Sequence, residues 1–394
     1  MPNVEIRPAR AEEMPLMVQQ ASRQLALPAA MLAGMPAEWT LCAFVDGTLA
    51  TTYAAWPLQI RLAGRAVRIA GVTQVSTHPA FRRRGYLRTV TQAHFEQLHA
   101  SREVAFAGLH PAWVALYQRY GYGLVNQRHV YRIEPRHIHF HHPLAPRGHV
   151  DELDPERDFG RLVEVYRRFR EDRTGLVHRG RAMWDAGALQ APPEGTRQVV
   201  LAYEEAGETL GYVVYAHGRG QLRITDLFAL SPAACQALWQ VLGSYDNIDA
   251  ILWDNAPSDD PLPLMLVEPR HLNQTLRDGI MARLVTVADA LAQRPYAAVT
   301  ELRFALADQV CPWNAGRWRI VTSPEGGEIT RIDGQDVDFT LTPDTLASLV
   351  FGRFSASHAA RAGLLEDPRG AAALQRWDAA FRLAHPPYEA EHTW

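Results

Sequence analysis

Residues 72–88 read VTQVSTHPAFRRRGYLR, and their types and order suit the holding of an anion. Residues 72–77 alternate as a strand, and Pro79 ends it. A loop with Arg82, Arg83 and Arg84 in succession then meets Gly85, which opens a helix. The first turn of a helix carries N–H groups without an intrahelical acceptor and the positive end of the helix dipole. It therefore accepts a phosphate or pyrophosphate. Gly85 lets the backbone come close to such a group, and the arginines add fixed positive charge. Taken alone, the loop fits a solvated or nucleic-acid-binding arginine patch equally well. Downstream, residues 116–123 read LYQRYGYG, a short helix that ends in an aromatic–glycine turn before a strand.

The elements that must position this loop follow from the hydrophobic pattern. Residues 4–8 alternate as a strand, and 11–25 carry apolar residues at helical spacing. Strands at 41–45 and 49–56 flank Asp46-Gly47, a hairpin signal. A second turn falls at Gly64 between 60–62 and 67–70. A helix at 87–98, a strand at 104–109, a short helix at 113–120 and a strand at 124–133 complete an α+β module over residues 1–145. After a Pro-, His- and Arg-rich boundary, 146–287 repeats the order: a helix at 159–173, a hairpin of 199–203 with 212–216, a strand at 222–230, a helix at 232–242 and a strand at 248–253. Residues 254–263 read as a loop. Residues 229–232 have no counterpart of the arginine turn, so the second module reads as a degenerate duplicate. A third module, 288–394, has strands at 302–307, 318–322 and 339–341 and helices at 343–351 and 371–381. The tail from Pro386 to Trp394 shows no periodicity.

Composition removes other chemistries. Of 394 residues, 40 are basic and 43 acidic, and every basic residue is arginine. Without lysine there is no Schiff-base pyridoxal chemistry and no P-loop lysine. Arginine-biased codon usage accounts for the absence. A formal charge of −3 argues against a dedicated nucleic-acid or polybasic membrane binder. Three separated cysteines, Cys42, Cys235 and Cys311, suggest a reducing compartment. With no membrane-length apolar run and no leader pattern, a cytoplasmic protein is expected.

The Arg-x-x-Gly-x-x turn resembles the pyrophosphate turn of Gcn5-related N-acetyltransferases (GNATs), with Leu87 where they usually have Gly or Ala. RRRGYLR followed by LYQRYGYG, the later CPWNAGRWR at 311–319 and an aromatic last residue resemble the Eis (enhanced intracellular survival) family over the whole chain. The resemblance implies tandem GNAT-like domains, the second without cofactor, plus a C-terminal sterol-carrier-protein-like domain. It implies acetyl-CoA as co-substrate, a homohexamer, and a multiply charged amine as acceptor, aminoglycoside-like or lysine-like, with neither nucleic acid nor membrane as partner and no metal. Val75, Ser76 and Thr77 would line the pantetheine arm. Arg83, Arg84, Gly85, Tyr86, Leu87 and Arg88 would wrap the pyrophosphate, and Ala112 and Trp113 would touch the cofactor. Tyr117 would be the general acid, and the Trp394 α-carboxylate the general base.

Other features have plainer readings. Tyr120 and Tyr122 are expected in the core. Gln74 stands where the family has an aromatic residue. Glu389 and Glu391 offer carboxylates to a cationic acceptor, and Trp39 fits either a pocket wall or the core. The His137, His139, His141 and His142 run lacks a zinc-site pattern. The basic helix from Arg161 fits a solvated or intersubunit face, and Cys311 a buried structural thiol. An alternative to the enzyme is a carrier whose third domain holds an apolar ligand.

Overall fold

In a computed structural model, residues 2–145, 147–218, 220–334 and 336–391 are described, with Ala30 and Met31 described by backbone alone. The chain divides into two compact units. One joins the segment up to Val125 with Ile280–Leu383, and the other joins Asn126–Gly279 with the tail from Ala384.

In the first unit, two long strands, Thr48–Leu62 and Arg65–Thr77, form the centre of a seven-stranded sheet. Ala63 and Gly64 connect them with φ of 48° and 80°, the left-handed pair that a two-residue hairpin of this twist requires. Asp46 and Gly47 do the same for Cys42–Val45 and Thr48–Leu62, at 48° and 78°. The sheet runs Val4–Arg7, Cys42–Val45, Thr48–Leu62, Arg65–Thr77, Phe106–Leu109, Met281–Leu284, Gly123–Leu124. Among the described residues, only the central Arg65–Thr77 and Phe106–Leu109 pair of this sheet is parallel. The helix Tyr86–Ser101 buries Tyr86, Val90 and Phe95 in the core of this sheet.

The second unit repeats the plan. Its sheet runs His149–Glu152, Arg197–Glu205, Glu208–Gly218, Gly220–Ala229, Ile248–Pro257, Gln127–Ile133, Thr275–Asp278, and Gly220–Ala229 with Ile248–Pro257 is again the one parallel pair. The two modules exchange their sixth strand. Gln127–Ile133, expected within the first module, pairs in the second sheet, and Met281–Leu284 pairs in the first. The strand expected over 124–133 is thus two strands, parted at Val125 and Asn126. The strand expected at 248–253 runs on to Pro257, because Ala256 and Pro257 pair with His129 and Arg128.

A second sheet in the first unit, Gly326–Arg331, Gly316–Ser323, Glu301–Leu306 and Phe339–Leu341, is packed by Gly370–Phe381 and Val287–Gln293, whereas Pro343–Phe351 lies against Met281–Leu284 and Gly123–Leu124 of the seven-stranded sheet. Trp377 fills its core, with ring centroids 4.7 Å from Phe339 and 5.1 Å from Phe381. No helix among the described residues is long and apolar enough to cross a membrane.

Candidate active site

Strand divergence builds the site. Arg65–Thr77 and Phe106–Leu109 are laddered at Ala70 with Ala107, Gly71 with Gly108 and Val72 with Leu109, and there the ladder ends. The first strand continues to Thr77. On that side, backbone groups beyond Val72 have no neighbouring strand, and Val75, Ser76 and Thr77 lie on this free stretch.

A bulge starts the divergence. Thr52 pairs with Ser76 and Ala54 with Thr73, so Tyr53 faces both Gln74 and Val75. Gln74 takes the extra position at φ 52°. The Thr52 hydroxyl locks it, donating to the Gln74 carbonyl at 2.6 Å and meeting Ser76 Oγ at 2.7 Å. Gln74 is buried; its Nε2 donates to Leu32 O at 2.8 Å, and its Oε1 finds no partner among the described residues. Neither the bulge nor this orphaned acceptor announces itself in the alternating pattern.

Past Thr77 the chain turns through Pro79–Phe81 into the arginines. Arg82 ties the loop down, donating to Thr77 O at 3.2 Å and to Gln24 Oε1 at 2.6 Å. Arg83, Arg84 and Arg88 are exposed, and among the described residues none is in a salt bridge. Gly85 stands at the helix N-cap with φ 89°, a conformation costly for other residues. Among the described residues no side chain caps this helix. The N–H groups of Tyr86, Leu87 and Arg88 are therefore available to an anion. The corresponding helix of the second unit, Pro232–Gly243, differs: Ser231 Oγ accepts from Ala234 N at 3.2 Å, and Pro232 has no N–H.

On the opposite side of the divergence, Ala112 and Trp113 are exposed, and Trp113 is the N-cap of Val114–Gln118. Tyr117 lies one turn along this helix and is buried. Burial pushes its phenol up to about 12. Among the described residues no hydrogen bond engages its hydroxyl. Its ring meets Tyr122 edge-on at 6.1 Å. Tyr120 and Tyr122 are core residues, and burial raises both phenols. Beneath them the Tyr53 hydroxyl bonds His94 Nδ1 at 2.9 Å, and burial drives His94 down to about 4. This Tyr–His floor was not foreseen, since nothing in the spacing of Tyr53 and His94 marks them as partners.

Several sequence features have other places. CPWN clamps the chain around Met281–Leu284: Trp313 Nε1 donates to Val285 O at 2.7 Å, and Asn314 Oδ1 accepts from Val287 N at 3.0 Å. Cys311 is buried and its thiol is pushed up to about 12 by burial, far from nucleophilic readiness. Trp39 is partly exposed and packs edge-on against Trp56 at 5.4 Å. His137 stacks on His271 at 3.7 Å. In the second unit Glu389 and Glu391, expected to meet a cationic acceptor, are buried instead, and Glu391 is paired with Arg179. The basic helix, Phe159–Phe169, buries Leu162, Val165 and Tyr166, so only part of its surface is solvated. Trp394 lies outside the described residues.

Comparisons with known proteins agree with this architecture. Acetyltransferase (GNAT) domain families match residues 6–125 and 175–284, and a sterol carrier protein domain matches 287–389. An uncharacterised N-acetyltransferase of Streptomyces avermitilis is 30% identical over 340 residues, 82% of each chain. The N-acetyltransferase Eis of Mycobacterium tuberculosis is 30% identical over 324 residues, 79% of this chain and 77% of that one. Among solved structures, an Eis protein of Mycobacterium abscessus superposes with a TM-score of 0.84 at 26% identity, covering 98% of this chain and 99% of the other. A Gcn5-related N-acetyltransferase of Anabaena variabilis does so with a TM-score of 0.87 at 21% identity, covering 99% of this chain and all of its own.

Proposed function

The chain belongs to the Eis family of GNAT N-acetyltransferases and is an acyltransferase, and from that premise we propose that it moves the acetyl group of acetyl-CoA directly to a primary amine of a polycationic acceptor. One observation carries the reading of the donor: the ladder that ends at Val72 and Leu109 while its strand runs on to Thr77, followed across the Pro79–Phe81 turn by an arginine-rich helix N-terminus without a side-chain cap among the described residues. Val75, Ser76 and Thr77 offer backbone groups to the amides of a pantetheine arm. Arg83, Arg84 and Arg88, with the N–H groups that Gly85 leaves open at Tyr86 and Leu87, offer charge and donors to a pyrophosphate. Ala112 and Trp113 flank the other side of the opening.

Acetyl-CoA supplies the activated acyl carbon. A neutral amine attacks it, a C–N bond forms, the C–S bond breaks, and the leaving thiolate takes a proton. Backbone N–H groups along the free strand polarise the carbonyl. Tyr117 suits the donor: burial keeps its phenol protonated throughout the physiological range, so it can hydrogen-bond the departing sulfur as negative charge develops on it. The proton lost by the ammonium goes to a base, for which the Trp394 α-carboxylate is the family-derived candidate. A chain lacking Trp394 is expected to lose at least ~100-fold in turnover, the usual worth of a general base, while acetyl-CoA affinity stays. Full turnover on the best amine would remove Trp394 from the mechanism. The polycationic acceptor, a cytoplasmic location and a homohexamer are inferred from the family; thiol release across a panel of aminoglycosides, polyamines and peptides, and light scattering on the purified chain, test the first and the last.

The carrier alternative is disfavoured by the intact arginine turn, and Trp377 with its ring neighbours fills the core of the third domain.

A further inference from the structure

The second unit preserves the geometry that makes a cofactor cleft in the first. Gly220–Ala229 and Ile248–Pro257 are parallel only as far as Ile224 with Trp253, and both strands then continue. A bulge falls just past the last pair, at Thr225, as it does at Gln74 in the first unit. By topology this is where a pantetheine arm would enter. There the Gly220–Ala229 strand is bonded instead by Arg179 and Ala188, and the Ile248–Pro257 strand by the end of the chain.

The occupant is the chain's own tail. Tyr388 donates its backbone N–H to Thr174 O at 2.8 Å and its hydroxyl to Asn255 O at 2.7 Å. Asn255, two residues past the last parallel pair, donates from Nδ2 to Ala390 O at 2.6 Å. From the other diverging strand, Asp226 accepts from Arg179 Nη1 at 2.6 Å, and Arg179 Nε reaches Glu391 Oε1 at 2.5 Å. Tyr388 and Ala390 belong to the apolar core with Tyr166, Trp184 and Phe228. Gly175 is shaped to the tail: a Cβ there would lie 2.4 Å from Tyr388 O. The Arg179 side chain is 2% exposed and lies over the Tyr166 ring at 4.1 Å, so the guanidinium is held on both its ionic and its aromatic sides.

We propose that the cofactor-type cleft of the second acetyltransferase domain, which the family resemblance already leaves without cofactor, is a binding site for this chain's own segment Tyr388–Glu391, closed by the Arg179–Glu391 ion pair. The same lock makes Arg179 a positioning residue for the residues that follow. In sequence the proposed base, Trp394, follows Glu391 by three residues, a chain length of at most about 11 Å. This consequence rests on the reading of Trp394 as the base, whereas the docking does not.

Substitution at Glu391 tests it with little risk to folding, because the Arg179–Asp226 pair remains intact. In the full-length protein, hydrogen exchange at residues 388–391 is expected to be slow, and at least tenfold faster in Glu391→Arg, where like charges meet. Glu391→Gln, which keeps an acceptor for Arg179, should fall between. Titration of acetyl-CoA into the wild type should give one site per chain. For the best amine, Glu391→Arg should lower kcat at least tenfold with the KM for acetyl-CoA within twofold. Fast exchange in the wild type, unchanged exchange in Glu391→Arg, or two acetyl-CoA sites per chain would overturn the proposal. A protein inactive on every amine that still showed these exchange differences would defeat the catalytic reading and leave the docking standing.

Discussion

Arg283 and Asp308 form a fully buried ion pair, with Nη2 at 2.8 Å and 2.6 Å from the two carboxylate oxygens. The arginine comes from Met281–Leu284, the exchanged strand, and also donates to Tyr120 O, in the turn after the Tyr117 helix. The aspartate also accepts from the backbone of Val310 and Cys311 and from Asn314. One guanidinium thus joins the exchanged strand, the Tyr117 turn and the segment that carries CPWN. Removing one partner of such a pair leaves a buried charge without compensation. Asp308→Ala should cost about 3–5 kcal/mol, seen as a lowered midpoint of unfolding. A midpoint within a degree of wild type would mean that water or rearrangement replaces the carboxylate.

Tyr117 has a different expected signature. Tyr117→Phe keeps the ring that packs on Tyr122 and removes only the hydroxyl. Turnover should fall about 10²–10⁴-fold, the range for general acid catalysis, with acetyl-CoA affinity and thermal midpoint unchanged. Because burial holds the phenol at about 12, the wild-type rate should show no alkaline limb from this group below about pH 11. A Phe variant with near-normal kcat would assign the proton to water.

The arginine turn, its glycine and the Tyr117 helix are legible in sequence because each is a local pattern: an anion-binding helix start needs only its own few residues. The two hairpins at Asp46-Gly47 and Ala63-Gly64 are legible for the same reason. What escapes is set by distant partners. Alternation marks Gln127–Ile133 as a strand but does not say which sheet receives it, and the exchange with Met281–Leu284 leaves the pattern of either strand unchanged. The bulge at Gln74 depends on Thr52, 22 residues away. The tail from Pro386 has no periodicity because an extended segment enclosed by Thr174, Asn255 and Arg179 has no repeating solvent face.

His94 makes acid sensitivity a test of the buried floor. Its imidazole is held at about 4 by burial, below the usual 6.5, so the unfolded chain binds more protons between those values. Its contribution is complete above pH 6.5 and is lost as the pH falls toward 4, worth about 3 kcal/mol at most by linkage. Unfolding midpoints of the wild type should therefore drop across this window. His94→Asn, neutral at every pH, should flatten that part of the slope even if it lowers the midpoint overall. Parallel slopes in the two proteins would remove His94 from the acid response.

The docked tail should respond to pH in the opposite sense. Glu389 and Glu391 are buried together, and that desolvation pushes both carboxyls above the usual range. Asp226 adds to the rise at Glu391. Arg179 opposes it at both, and Arg128 at Glu389, but burial dominates. The nearby phenols Tyr166, Tyr212 and Tyr388 are raised and stay neutral. A released Glu389 would titrate as an ordinary glutamate near 4.3, so docking takes up a proton there while the Arg179–Glu391 pair stays ionic. The stability of the docked tail is fullest below that value and declines as the pH rises through the raised value of docked Glu389. Protection of residues 388–391, corrected for intrinsic exchange chemistry, should fall with rising pH in the wild type. In Glu389→Gln, which keeps the acceptor for the Glu391 N–H and removes one charge, the decline should be shallower. Protection that grows with pH would mean that Glu389 also docks ionised, beside the Arg179–Glu391 ion pair.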